Sequence, residues 1–480
     1  MNEKLDLKYF LHTIIVIFFM IGFGRIFKID GVTSAGMQIL GIFLGLVWGW
    51  SFIEMGWPSL LGIFSLGLSV YMSMTEALKA GFGDNCVLLV FFCLIFAAYL
   101  DSTGINRVIA NWFISRKVCY GRPWIFTLML LLMAYVLGAT VILFAAIVLS
   151  WSLFYSICEM TDIKPGEPYA VAMVIGLCYA ACLGVSILAF KPLPIIVYSI
   201  VETYLGVTVN YLKFAVITAA ISLTCLLLYW LLLRFLFHID ISKLKDKIEM
   251  VSKQEKEAVN REQRMAGFLL CLFFVMLFIP GLLNEESFVK VIFQKITTTG
   301  TAALICIIAC MLKLDGNHLA NFGALAKDGV VWDLILVFAA IMPVSTAIAD
   351  PETGLLNKVV EIADNIFINM SPLLFSIVLV ALVAVCSQVL YNVVVATIFS
   401  PILCIYAEKF GASPEVLAVL ICFAMAMALC TPAASGMAAM MYGNKKWLTN
   451  KQVIHYTSIL FMIDLVVVVA VGIPVASSII

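Results

Sequence analysis

A chain of 480 residues with a hydrophobic fraction of 64% and a mean hydropathy of +1.10 is far too apolar for a soluble domain, so lipid is the solvent for most of it. Its 29 Lys and Arg balance 29 Asp and Glu, and that zero net charge leaves no electrostatic basis for a nucleic-acid partner. The four histidines (His12, His238, His318, His455) and 14 cysteines are scattered, without the His-Glu-x-x-His or Cys/His/acid spacing that a membrane-embedded metalloenzyme would need.

Lys4 and Lys8 before an apolar run imitate a signal peptide, but no small-residue cleavage site follows Arg25 and Lys28, so 9–27 reads as the first span. Apolar runs at 34–53, 57–72 and 84–100 follow. From Thr103 to Lys117 the chain is amphipathic, with Ile109, Trp112, Phe113 and Ile114 against Arg107, Arg116 and Lys117, which suits a helix in the membrane interface. The stretch 124–157 is too long for one span and is bent at Gly138-Ala139-Thr140; it reads as a re-entrant helical hairpin. The next, 168–204, is interrupted around Gly184 to Pro194, and 211–237 closes the half.

The polar, Lys/Glu-rich segment 239–264 reads as a linker. Spans at 265–282, 299–312 and 330–349 lead to a second hairpin, 372–406, turning at Val389-Leu390-Tyr391-Asn392-Val393. A second interrupted helix, 414–442, breaks at Cys430-Thr431-Pro432-Ala433-Ala434-Ser435-Gly436, and 455–475 is the last span. Broken helices leave N–H and C=O groups that lipid cannot satisfy, and they are tolerated where they line a water-filled cavity or a substrate.

The halves read alike. Ala80-Gly81-Phe82-Gly83 corresponds to Ala326-Lys327-Asp328-Gly329, Ser102-Thr103-Gly104-Ile105 to Glu352-Thr353-Gly354-Leu355, and hairpin to hairpin, broken helix to broken helix. The expected fold is an all-α polytopic membrane protein with inverted repeats. Its divisions are N-terminal helices over 1–56, a first repeat over 57–238, a cytoplasmic linker over 239–264, a connecting helix over 265–299 and a second repeat over 300–480. A cytoplasmic N-terminus puts Arg107, Arg116, Lys117, Arg122, the linker lysines, Lys445, Lys446 and Lys451 inside, as the positive-inside rule requires for a plasma or inner membrane protein.

Thr140 and Asn392 stand at matching hairpin turns, where they serve either a bound anion or helix–helix hydrogen bonding. Tyr391 divides between substrate contact and packing; Thr431, Pro432 and Ser435 break the second interrupted helix. Lys191 and Pro192 sit at the first break, deep in the bilayer, where the ammonium snorkels, pairs with an acid such as Asp464, or binds an anion. Asp464 lies within the last span or at its interfacial end. Asp84, Asp101, Asp333 and Asp350 read as solvated ends.

From Thr33-Ser34-Ala35-Gly36-Met37-Gln38 and Trp57-Pro58-Ser59-Leu60-Leu61 to the last helix, this organisation resembles the divalent anion/sodium symporter family, within the wider ion transporter superfamily. The resemblance implies a Ser-Asn-Thr triplet at each hairpin tip and a Thr-Pro-Pro-Asn-like turn in each broken helix, holding a dicarboxylate, tricarboxylate or sulfate with sodium ions. Here the tips read Gly138-Ala139-Thr140 and Tyr391-Asn392-Val393, and the turns Lys191-Pro192-Leu193-Pro194 and Thr431-Pro432-Ala433-Ala434. A sodium ion would sit near Thr140 and Asn392, but the thinned oxygen set predicts weak sodium dependence or none, and no other cofactor is expected. The resemblance also implies a homodimer and an elevator movement of a transport part against a scaffold. The expected function is secondary transport of small anions; an inorganic-ion carrier of the same superfamily (arsenite permease-like or sodium/proton antiporter-like), a channel and a membrane-embedded enzyme are the alternatives.

Overall fold

The computed structural model describes residues 7–206, 209–245, 247, 259–284, 287–314, 316–358, 361, 370–390, 392–432 and 434–480. Residues 246 and 248–258 of the predicted linker, and Tyr391 and Ala433, lie outside the described residues. The protein is helical throughout, apart from a two-residue β-hairpin pairing Lys313–Leu314 with Asn317–His318. Eleven helices among the described residues are long and apolar enough to cross a bilayer.

The first half runs α1 (Leu7–Ile26), α2 (Ser34–Phe52), α3 (Gly56–Gly67), α4 (Met74–Phe82), α5 (Asn85–Ser102) and α6 (Ile105–Ile114). Two antiparallel arms follow, α7 (Pro123–Thr140) and α8 (Leu143–Thr161), then an interrupted helix in two pieces, α9 (Pro168–Val185) and α10 (Pro192–Leu205), and α11 (Tyr211–Phe235). The second half runs α12 (Arg261–Phe278), α13 (Phe288–Met311), α14 (Phe322–Gly329) and α15 (Trp332–Ala349), then the arms α16 (Pro372–Ser387) and α17 (Asn392–Phe410), the pieces α18 (Pro414–Ala426) and α19 (Gly436–Gly443), and α20 (Asn450–Ile479). The stretch 265–299 is therefore not one connecting helix: α12 ends at Phe278, Pro280 sits in the tight turn that follows, and α13 is kinked where Thr297 adopts a φ of 61°.

Local chemistry sets these boundaries. Five helices open on proline, whose missing N–H costs nothing in a first turn: α7, α9, α10, α16 and α18, all of them hairpin arms or pieces of interrupted helices. Ser73 with Glu76, Asn260 with Gln263 and Thr449 with Gln452 form capping boxes at α4, α12 and α20. The turns before α6 and after α15 are built alike. Gly104 and Gly354 have φ of 71° and 72°, and Thr103 and Thr353 each accept from the amide two residues on at 3.4 Å. Asp350 is not simply solvated: Tyr71 donates to it at 2.8 Å, and burial followed by that carboxylate pushes the Tyr71 hydroxyl up to about 12, keeping it a donor.

Two groups of helices result. In one, α15 packs against α2, α3, α4 and α5, with α13 and α14 also on α5. In the other, α7–α11 pack with α16–α20. The centre of the second group is α9, 89% buried over its apolar length, against 17% for α1 at the periphery. Where α7 crosses α9 the backbones touch: a methyl at Gly184 would run into the Tyr135 carbonyl, and one at Gly138 into that of Ala181. Gly184→Ala should therefore lower stability by about 1–3 kcal/mol, the usual cost of overpacking, read as a lower unfolding midpoint in detergent. Gly443→Ala, with open space around it and a helical backbone, should be neutral or slightly stabilising by the same measurement.

Candidate functional site

The first hairpin turns two residues later than the sequence suggests. Gly138, Ala139 and Thr140 remain in the last turn of α7, where the Thr140 hydroxyl donates to the Val136 carbonyl at 2.9 Å, and the reversal is made by Val141 and Ile142 in extended conformation. Gly138 faces α9, not the tip, because only a glycine lets the two backbones meet there.

The first interruption spans Ser186 to Lys191. Lys191 stands at the N-cap of α10, with Pro192 opening the helix, and its Nζ donates to the Val141 carbonyl at 3.2 Å. The ammonium thus ties the first break to the first tip. Among the described residues it has no carboxylate partner; Asp464, 5% exposed, instead accepts a hydrogen bond from Tyr179 of α9.

The second interruption, Met427 to Ser435, is organised by Gln388, a residue the sequence reading passed over. Its Oε1 accepts from the amides of Leu429 and Cys430 at 3.1 and 3.0 Å, and its Nε2 donates to the carbonyls of Ala384 and Met427 at 3.1 and 3.4 Å. Thr431 donates to the Gln388 carbonyl, Ser435 to that of Ala428, and Tyr442 to that of Cys430. Ser435 also caps α19 by accepting from Ala438 N, while Pro432 is exposed beside the break. Asn392 opens α17 and donates to the Met425 carbonyl at 2.9 Å; its Oδ1 is buried without a partner among the described residues, and Val393 is buried behind it. An amide inside an apolar arm was the signal for Gln388, since such a group in lipid must find partners.

Tips and breaks converge. Lys191 joins the first break to the first tip, Gln388 joins the second break to the second tip, and α10 packs along α17. Across the halves, Phe144, at the start of α8, lies against Gly436 so closely that a Cβ there would be 2.6 Å from its ring. Asn444 donates to the Tyr155 hydroxyl at 2.6 Å, and Tyr155 stacks on Trp447 at 4.4 Å. The Lys191 ammonium, at the N-terminus of α10, is held on the Val141 carbonyl of the turn, and the N-terminus of α19 at Gly436 packs on the ring of Phe144, two residues beyond the turn. All three carry positive charge or its partial equivalent, an arrangement suited to an anion. Among the described residues no cluster of three His, Cys, Asp or Glu offers a metal site.

A family model described as a citrate transporter matches residues 43–422. The fold is similar to the crystal structure of the YdaH transporter of Alcanivorax borkumensis, with a TM-score of 0.59 at 12% identity over 82% of this chain and 86% of that one. It is also similar to MtrF of Neisseria gonorrhoeae, described within a class of antimetabolite efflux pumps, with a TM-score of 0.55 at 13% identity over 83% of each chain. No curated protein matches by sequence. At these identities the two structures establish the transporter fold, and with the family match they place the chain among transporters and not enzymes.

The second break gives a direct test of its architecture. Gln388→Ala leaves two buried amides and two carbonyls short of a partner and should cost about 2–4 kcal/mol, more than a surface change and less than the sum of four bonds. The check is chemical unfolding in detergent alongside Gln388→Glu, which keeps the acceptor but loses the donor and should fall between.

Proposed function

The chain belongs to the citrate transporter family, and on that premise we propose that it is a secondary carrier of small di- or tricarboxylate anions, with citrate the first candidate. The observation that carries this reading is the Lys191 ammonium at the N-terminus of α10, held on the Val141 carbonyl of the first tip and without a carboxylate partner among the described residues. A cation withdrawn from water without a counter-ion is costly, and a bound carboxylate supplies the missing charge. Lys191, the Leu193 amide in the first turn of α10 and the N-terminal amides of α19 bind the anion, and Thr140, Asn392 and Thr431 bound the site.

Sodium has little to hold it there. At the first tip the Val141 carbonyl already accepts from Lys191 and the Thr140 hydroxyl is turned to Val136; at the second, the Oδ1 of Asn392 is the unpartnered side-chain oxygen. The fixed ammonium takes the place of a bound cation, and transport runs independently of sodium. In this reading α7–α11 with α16–α20 form a transport part that slides against α1–α6 and α12–α15, the hairpins are re-entrant, the repeats inverted, the N-terminus cytoplasmic, and the unit a homodimer in the plasma membrane.

Citrate should raise the unfolding midpoint of the purified protein by mass action, equally in sodium and in choline. Lys191→Gln should fold yet bind citrate at least tenfold more weakly, about 1.4 kcal/mol, and Lys191→Arg should rescue poorly because its planar fork differs in shape and hydration. Wild-type binding by the Gln variant would make Lys191 structural. Uptake in proteoliposomes that stops when choline replaces sodium would overturn the independence from sodium.

A further inference from the structure

An open cavity of about 1040 Å³ lies between the α5–α6 turn and the second arm of the first hairpin. Three cations line it, Arg107, Arg116 and Lys117, against one carboxylate, Asp101, which accepts a hydrogen bond from Asn106 at 2.9 Å. None of the three cations is paired with a carboxylate among the described residues. The Cζ of Arg116 stands over the Trp112 ring, 3.4 Å from its centroid, and its buried Nε has no partner among the described residues. A guanidinium so placed over an aromatic ring leaves its edge for a carboxylate.

The opposite wall is α8, through Ala145 and Leu149. Ala145 is four residues, about one helical turn, beyond Val141, whose carbonyl holds Lys191. One arm of the hairpin therefore runs from the cationic cavity to the lysine at the tip.

We infer that this cavity is an entrance subsite for the carried polycarboxylate on one face of the membrane, where Arg107, Arg116 and Lys117 gather the anion before it passes along α8 to Lys191. The inference rests on the carrier function proposed above. Unpaired cations on the walls of a low-dielectric cleft raise the local concentration of an anion, and the gain is screened by salt. A lipid phosphate could be drawn by the same charges, but the continuity with the hairpin favours the soluble substrate.

The test is citrate transport, measured separately in right-side-out and everted vesicles of zwitterionic lipid, by wild type and by the triple variant Arg107→Gln/Arg116→Gln/Lys117→Gln. The expected result is a KM raised about tenfold from one face only, a Vmax changed less than twofold, a flatter dependence of KM on ionic strength, and partial recovery with Arg116→Lys. An unchanged KM from both faces, or an equal change from both, overturns the inference, as does an effect that appears only when anionic lipid is added, which would make the cavity a headgroup site. Should the triple variant fail to fold, the difference in tryptophan emission between wild type and Trp112→Phe on adding citrate reads the cavity directly; no citrate-dependent difference overturns the inference. That signal should survive Lys191→Gln, so loss of the tip site and loss of the entrance are separable.

Discussion

A peptide group stripped of water must find a partner, and the architecture of this protein is largely a set of answers to that requirement. Two helices are interrupted inside an apolar bundle, and each interruption is tied down by side chains, its own and others from elsewhere. The second has Gln388, Ser435 and Tyr442 engaged with its backbone and Thr431 donating back to the Gln388 carbonyl. The first accepts from Thr218 of α11 at the Ile187 carbonyl, 3.3 Å, and is tied to the neighbouring tip by Lys191. The rest of the helical mass, with α9 at its centre, excludes the water that would otherwise do the same work.

From that constraint the placement of charge follows. Starting a helix in mid-protein leaves first-turn N–H groups inside it, and two helices start so, α10 tied to the first tip through Lys191 and α19 packed on Phe144. A site built this way is electropositive through its backbone, before any ionised side chain is counted. The lysine then adds a full charge, and the acid offered as its partner in the sequence, Asp464, accepts from Tyr179 instead.

The helical class, the order of elements and both interruptions were legible in the sequence, because apolar length and Pro/Gly punctuation report directly on what lipid allows. The first tip was misplaced by two residues, since Gly138 looks like a turn glycine while its role is to let α7 and α9 touch, a contact between segments more than 40 residues apart that no local pattern encodes. Gln388 escaped for a similar reason: one amide in an apolar arm carries no motif, and its importance lies in amides about 40 residues further on. The partner of Asp464 could not be read at all, because a buried acid and its tyrosine are 285 residues apart in the chain.

The two tips are fastened unequally. Gln388 and Thr431 lash the second tip to its own interrupted helix with four hydrogen bonds, each worth about 1 kcal/mol net and more when its loss strands a buried group. Among the described residues the first tip is held by the bond from Lys191 and by the packing of Phe144 on Gly436. Behind it both arms are fastened to α9, α7 through glycines and α8 through Trp151, whose indole donates to the Val174 carbonyl at 2.8 Å. In the proposed carrier the first tip is therefore the looser of the two, because an anion that takes Lys191 from the Val141 carbonyl removes the hydrogen bond that ties that tip to its break.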